Sequence, residues 1–311
     1  MRSRLAPSLL MAGAALLFAL MSAVVKLASP LYGAGELVMY RSLVGLLLMV
    51  WLLRLRGIDW RTPVPAMHLV RSITGTVSMY LWFQALAALP LATATTLNIM
   101  SSVWIALFLL AAPRWRSWRG AVPPPHAGQS PLDARLVLAV GAGFVGVALV
   151  LQPTIEAQQF AGGVFGLASG LLAATAYLQV TSLGRVGEPG ERVVLYFSAS
   201  GVVLGLVLSA FTGGLHAHTP RGALLLLVIG CLATAAQWML TRAYSTGATL
   251  GVASLQYLGV VFAFGIGVLA FGDPVTGAAL AGMVLIVGAG VAATFLRPSI
   301  RRPAEPLRGT D

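Results

Sequence analysis

The chain has 311 residues, 58% of them hydrophobic and 9% charged, with a formal net charge of +11. A soluble domain carries about 25% charged residues, so this composition excludes one and indicates a polytopic membrane protein. A basic chain can also indicate a nucleic-acid partner, but the positive residues here segregate to one side of the apolar runs and no nucleic acid is expected.

Ten apolar runs have roughly the 20-residue length that spans a bilayer core. They cover residues 8–27, 36–55, 66–86, 91–112, 134–151, 162–183, 193–211, 222–241, 250–271 and 276–296. The expected fold is all-α, with ten transmembrane helices. The first run follows MRSR and has the outline of a secretory signal, but it has a counterpart later in the chain and keeps the helix number even, so it reads as a span. Residues 113–133, PRWRSWRGAVPPPHAGQSPLD, are rich in proline and glycine and read as a flexible linker. Within it Trp115 and Trp118 alternate with Arg114, Arg116 and Arg119, as an interfacial anchor does. Residues 299–311 read as a disordered tail.

Placing the amino terminus in the cytoplasm gathers the arginines from Arg2 and Arg4 to Arg302 and Arg308 on that side. Arg221 is left outside, with Lys26 and Arg41 near the outer ends of spans. The expected topology is therefore multi-pass with both termini cytoplasmic, as a monomer or homodimer in the lipid bilayer. Arginine outnumbering lysine 19 to 1, with the alanine and glycine content, hints at a bacterial source and so at the inner (plasma) membrane.

Shifting the chain by 158 positions superposes its halves: Ala85 on Ala243, Leu97 on Leu255, Asn98 on Gln256, Trp104 on Phe262. Five spans per half force the second copy to enter the membrane inverted. The expected domains are thus a five-helix repeat over residues 8–153 and a second, inverted one over 162–298, an arrangement typical of secondary transporters. Small-residue faces for close helix packing occur at Gly162, Gly166 and Gly170, at Gly201 and Gly205, and at Gly247 and Gly251.

Lys26 at the end of the first span, Arg41 after GELVMY, LPLATATTLN entering the fourth span and LAFGDP closing the ninth make the whole chain resemble the ten-helix EamA-type members of the drug/metabolite transporter superfamily. The chain departs from that pattern at Ser101 and Ser102, where the family usually has a proline, at Pro113 and Arg114, where it usually has an acidic residue, and at Asp273, which replaces the commoner glutamate. The resemblance implies ATP-independent movement, mostly outward, of a small polar or amphipathic metabolite. Uptake of a vitamin, amino acid or nucleotide-like metabolite is the alternative.

Residues three and four apart share a helix face, which puts Thr95, Asn98 and Ser102, with Ser101 alongside, on one polar stripe and Gln256 and Tyr257 on its repeat-related counterpart. Asn98 and Gln256 both donate and accept, and are the leading substrate-binding candidates. Trp104, Tyr80, Trp82 and Trp238 are candidate aromatic lining, with Gln84, Gln237, Tyr177 and Gln179 adding polar groups. Lys26, Glu36, Arg41 and Asp273 can form an outer ion-pair gate or merely reach to water.

Cys231 is the single cysteine, and His216 and His218 are too few to hold a metal, so neither metal nor cofactor is expected. Neither HExxH nor an intramembrane aspartate pair is present, and the chain does not read as an enzyme, nor as a channel or non-transporting scaffold. No carboxylate or histidine lies in the middle of a span, which favours facilitated diffusion or exchange over obligatory proton antiport.

Overall fold

Leucine, alanine, valine and glycine dominate the long runs, while proline and left-handed glycine punctuate their ends. In a computed structural model the described parts of these runs are mainly helical. It describes residues 5–105, 107–108, 138, 142, 145–146, 149, 157–211, 213–246 and 255–295, and no strand occurs among them. The helices are α1 (Leu5–Ala28), α2 (Ala34–Arg56), α3 (Pro65–Ala88), α4 (Leu91–Ile99), α5 (Ala157–Arg185), α6 (Gly190–Phe211), α7 (Pro220–Thr246), α8 (Leu258–Phe271) and α9 (Gly277–Phe295). Nearly all of the fifth expected span lies outside the described residues, as do the 113–133 linker, the 299–311 tail, Gly247 and Gly251.

Local chemistry sets the ends. Pro65 opens α3, where a missing N–H costs nothing. Gly57, at φ 63°, closes α2 by donating its N–H to the Arg54 and Leu53 carbonyls, and Gly272, at φ 64°, closes α8 in the same manner. Pro7–Ala28, Ala34–Arg56, Gln159–Arg185, Gly190–Phe211 and Pro220–Ser245 are each long and apolar enough to cross a membrane. The protein is an all-helical, multi-pass membrane protein.

Three antiparallel interfaces dominate: α1 on α7, α2 on α6, and α3 on α5, with α4 packed on α5 and on α8. The glycine faces sit in these contacts. A Cβ on Gly170 would lie 2.6 Å from the Leu97 carbonyl oxygen, and one on Gly205 would lie 2.6 Å from the Met39 nitrogen. Backbone approaches backbone there, and dispersion contact supplies the attraction that hydrophobicity cannot supply within lipid.

Two of the expected spans are not continuous helices. α4 stops at Ile99 and helix resumes at 101–105 after Met100, whose carbonyl takes the N–H groups of Val103 and Trp104. α8 begins only after a turn at Gln256 and Tyr257, whose carbonyls accept from Gly259 and Val260 in the tighter three-residue pattern. The sequence pattern of unbroken runs over 91–112 and 250–271 misses these breaks because hydropathy is blind to them. The hydroxyls of Ser101 and Ser102 donate to Gln256 Oε1 at 3.4 and 3.3 Å, which joins the two breaks to each other.

Candidate substrate cavity

Residues beside both breaks, Asn98 and Ile99 at the first and Gln256 and Gly259 at the second, line a cavity between the helices. Its floor is apolar, with Phe18 edge-on to Trp82 at 6.3 Å. Its polar wall comes from several elements: Asn98 from α4, Tyr177 from α5, Gln237 from α7 and Gln256 from the turn before α8. Asn98 Nδ2 donates to Ser169 Oγ at 3.0 Å, and the Ser169 hydroxyl in turn donates a hydrogen bond to the Gly166 carbonyl, so the amide is oriented by α5. Gln237 Nε2 is 3.4 Å from Thr241 Oγ1, and the Tyr177 ring stacks on Tyr244 with centroids 5.1 Å apart.

The charged residues of the wall are Arg41 and Arg71, which are 5% and 2% exposed. Both guanidiniums lie against the same ring, Phe197, at 5.3 and 4.4 Å from its centroid. Gly75, one turn beyond Arg71, makes room for it, since a Cβ there would collide with Nη1.

Two sets of polar contacts lie at opposite ends of the bundle. On the face where α1 ends, Lys26 Nζ meets Asp273 Oδ1 at 3.4 Å and the Leu89 carbonyl at 3.3 Å, while Asp273 Oδ2 accepts the Leu91 N–H at 2.9 Å. Nearby, Glu36 accepts from the backbone and ring nitrogens of His216, and His218 sits between Tyr32 and Tyr40. On the face where α3 begins, Glu188 receives Thr62, His68 and Arg192 at 2.9 to 3.2 Å, and Glu191 receives Arg56 and Trp238.

No family model matches the sequence. The pseudopaline exporter CntI of Pseudomonas aeruginosa is 31% identical over 280 residues, covering 88% of this chain and 91% of the exporter. The chain belongs to the transporter family of that exporter. A riboflavin transporter of Rhizobium johnstonii is 28% identical to it over 79% of this chain and 75% of its own. An uncharacterized transporter of Helicobacter pylori is 24% identical over 79% of this chain and 80% of its own. A crystal structure of 20% identity superposes on 94% of this chain and 98% of its own with a TM-score of 0.68, a likeness of fold.

Of the substrate-binding candidates, the transporter brings Asn98, Gln256, Gln237 and Tyr177 onto the cavity wall. Ser101 and Ser102 are buried and bond to Gln256 without themselves lining the cavity, and Tyr257 is packed in the apolar core. Trp104 packs against two core clusters, Tyr80 accepts from Gln84, and Trp238 donates to Glu191 away from the cavity. Among the gate candidates Lys26 and Asp273 meet, Glu36 turns to His216, and Arg41 points into the cavity instead. Arg71, which the charge asymmetry assigns to the cytoplasmic side or its interface, is instead buried on the wall with Phe197, because α3 carries it inward from its first turns. Neither was picked out as a site residue from the sequence. A usable signal existed in α3, where Arg71, Gly75, Ser78 and Trp82 recur at helical spacing and all line the cavity.

His68 and Glu188, both buried, form another pair that residue patterns concealed, because Glu188 lies in the loop after α5 and His68 in the first turn of α3. Burial pushes Glu188 up, but hydrogen bonds from Thr62, His68 and Arg192, with the Arg192 charge, outweigh it and leave the carboxyl below its ordinary value. A carboxyl depressed in the folded state stabilises it above the unfolded value and loses that contribution as pH falls through the folded one. Glu188→Gln is therefore expected to lower the melting temperature in detergent by several degrees at pH 7. The gap from wild type should narrow as pH falls below the ordinary glutamate value of about 4.3 and close once pH is below the depressed folded value, where both chains are neutral at this position. An unchanged melting temperature at pH 7 would show that the cluster does not hold this face together.

Proposed function

We propose that the protein is an EamA-type exporter of the drug/metabolite transporter superfamily, built from ten spans as two inverted five-helix repeats over residues 8–153 and 162–298. Both termini face the cytoplasm of a bacterial cell, and the chain carries a small polar or amphipathic metabolite outward across the inner membrane. The observation that carries this reading is the pair of breaks that fall within two residues of each other under the 158-residue shift, with the shift-related Asn98 and Gln256 on the wall of one cavity. Discontinuous helices meeting at a central site are how secondary transporters expose polar groups within a membrane.

The helix pairing supports the same reading. If α1 to α4 correspond to α5 to α8, exchanging the copies turns the α1–α7 contact into the α3–α5 contact and maps the α2–α6 and α4–α8 contacts onto themselves. Alternating access then consists of rocking the copies so that the Lys26–Asp273 contact and the Glu188 cluster loosen in turn. The 31% identity to an exporter supports the outward direction.

Metabolite levels inside cells and in the medium test the function directly. Overexpression is expected to deplete the substrate inside and enrich it outside, with deletion doing the reverse. Accumulation inside on overexpression would make the protein an uptake carrier.

A further inference from the structure

Five of the wall's buried polar atoms have no hydrogen-bond partner among the described residues, and they lie on four side chains: Arg41 Nε, Arg71 Nε and Nη1, Trp82 Nε1 and the Thr95 hydroxyl. Four of the five can only donate. No carboxylate is within ion-pairing distance of either arginine among the described residues, because each described carboxylate is engaged elsewhere. Glu36 is with His216, Asp59 with the Arg61 N–H, Glu188 with His68 and Arg192, Glu191 with Arg56, and Asp273 with Lys26. The remaining acids, Asp133, Glu156, Glu305 and Asp311, fall outside the apolar runs of the sequence.

A buried guanidinium without an anion is costly even after the surroundings relax. Contact with the Phe197 ring offsets only part of that cost. Two such cations against one ring repel each other as well, so the arrangement disfavours the empty protein. A ligand carrying two negative groups removes the cost from both at once, and a planar carboxylate matches the fork of each guanidinium.

Resting on the transporter reading above, we propose that the transported substrate is a small organic anion with at least two carboxylates, held by Arg41 and Arg71 and oriented by the Trp82 N–H and the Thr95 hydroxyl. Its apolar portion lies along Phe18 and Trp82. Arg41 and Arg71 belong to the carrier and return with it, so each cycle moves the substrate's own negative charge across the membrane. An inside-negative potential then drives it outward.

The test uses the full chain in proteoliposomes loaded with a metabolite extract of the native cells, divided by anion exchange into retained and unretained fractions. Release is followed by mass spectrometry. The expected result is release of carboxylates from the retained fraction, unaffected by phosphatase pretreatment of the extract. It should fall at least tenfold in Arg41→Gln and in Arg71→Gln and stay unchanged in Arg221→Gln at the exposed start of α7. Gly75→Ala, which keeps both charges but displaces Arg71, should lose release to a similar degree. Each arginine variant should also melt at a higher temperature than the empty wild-type protein, a change that a merely structural arginine would reverse.

No release above empty liposomes from any fraction would refute the transporter reading itself. Release of neutral or cationic metabolites, or anion release that persists in both arginine variants, would overturn this inference alone. Release abolished by phosphatase would replace the carboxylate with a phosphate ester.

Discussion

Gln256→Met is expected to reduce turnover about 30-fold while leaving the amount of folded protein in the membrane near that of wild type. Gln256 Oε1 is the acceptor for the hydroxyls of both Ser101 and Ser102, so one amide ties the break after α4 to the break before α8. Methionine keeps the volume and removes the acceptor. Two neutral hydrogen bonds, long at 3.4 and 3.3 Å, are worth about 1 kcal/mol each, or roughly 30-fold together. The loss appears in transport more than in folding, because α4 and α8 remain packed through Gly259 against Ile99 and through the surrounding apolar core. Turnover in proteoliposomes, normalised to protein recovered as a single size-exclusion peak, checks this. Wild-type turnover would show that the two breaks work independently.

Asp273→Ala is expected to shift the balance toward the state open on the Lys26 face by about 30-fold. The carboxylate accepts the Leu91 N–H at the start of α4, where the helix dipole adds its attraction, and holds Lys26, which also rests 4.9 Å over the Phe271 ring. Alanine leaves an unpaired ammonium and an unsatisfied N–H. Charge-assisted bonds are worth about 1.5 to 3 kcal/mol each, but both side chains are partly exposed and solvent screens them, so about 2 kcal/mol is the reasonable total. The readout is the labelling rate of a cysteine introduced at Ser78 in the Cys231→Ser background, using a membrane-impermeant thiol reagent added from outside. Lys26→Ala should accelerate labelling in the same direction, and the double variant should do little more, since both residues belong to one contact. Equal labelling rates in wild type and Asp273→Ala would remove the latch from the transport cycle.

Asn98 and Gln256 were legible from the chain because an amide inside an apolar run is costly unless another helix or a cavity receives it, and a 158-residue shift aligns the two. The same reasoning failed for Ser101 and Ser102. They share the polar stripe but lie behind Gln256, and helical spacing gives neighbours on one helix without saying which neighbour stands between a residue and the cavity. Arg41 shows the other limit. Counted along α2 it lies near the outer end, where an arginine usually reaches to water, yet its side chain turns inward against Phe197.

Hydropathy along the chain determined where the membrane helices run, because burial in lipid is a property of each segment taken alone. Its glycine spacing likewise determined that α5 and α6 would approach other helices closely. Which groups meet was decided only by the tertiary structure: Lys26 with Asp273, Glu188 with His68, and above all two unpaired arginines on one phenylalanine ring. Those contacts join residues far apart in the chain, and whether a buried charge is paired depends on the distance between side chains in space, which no local pattern encodes.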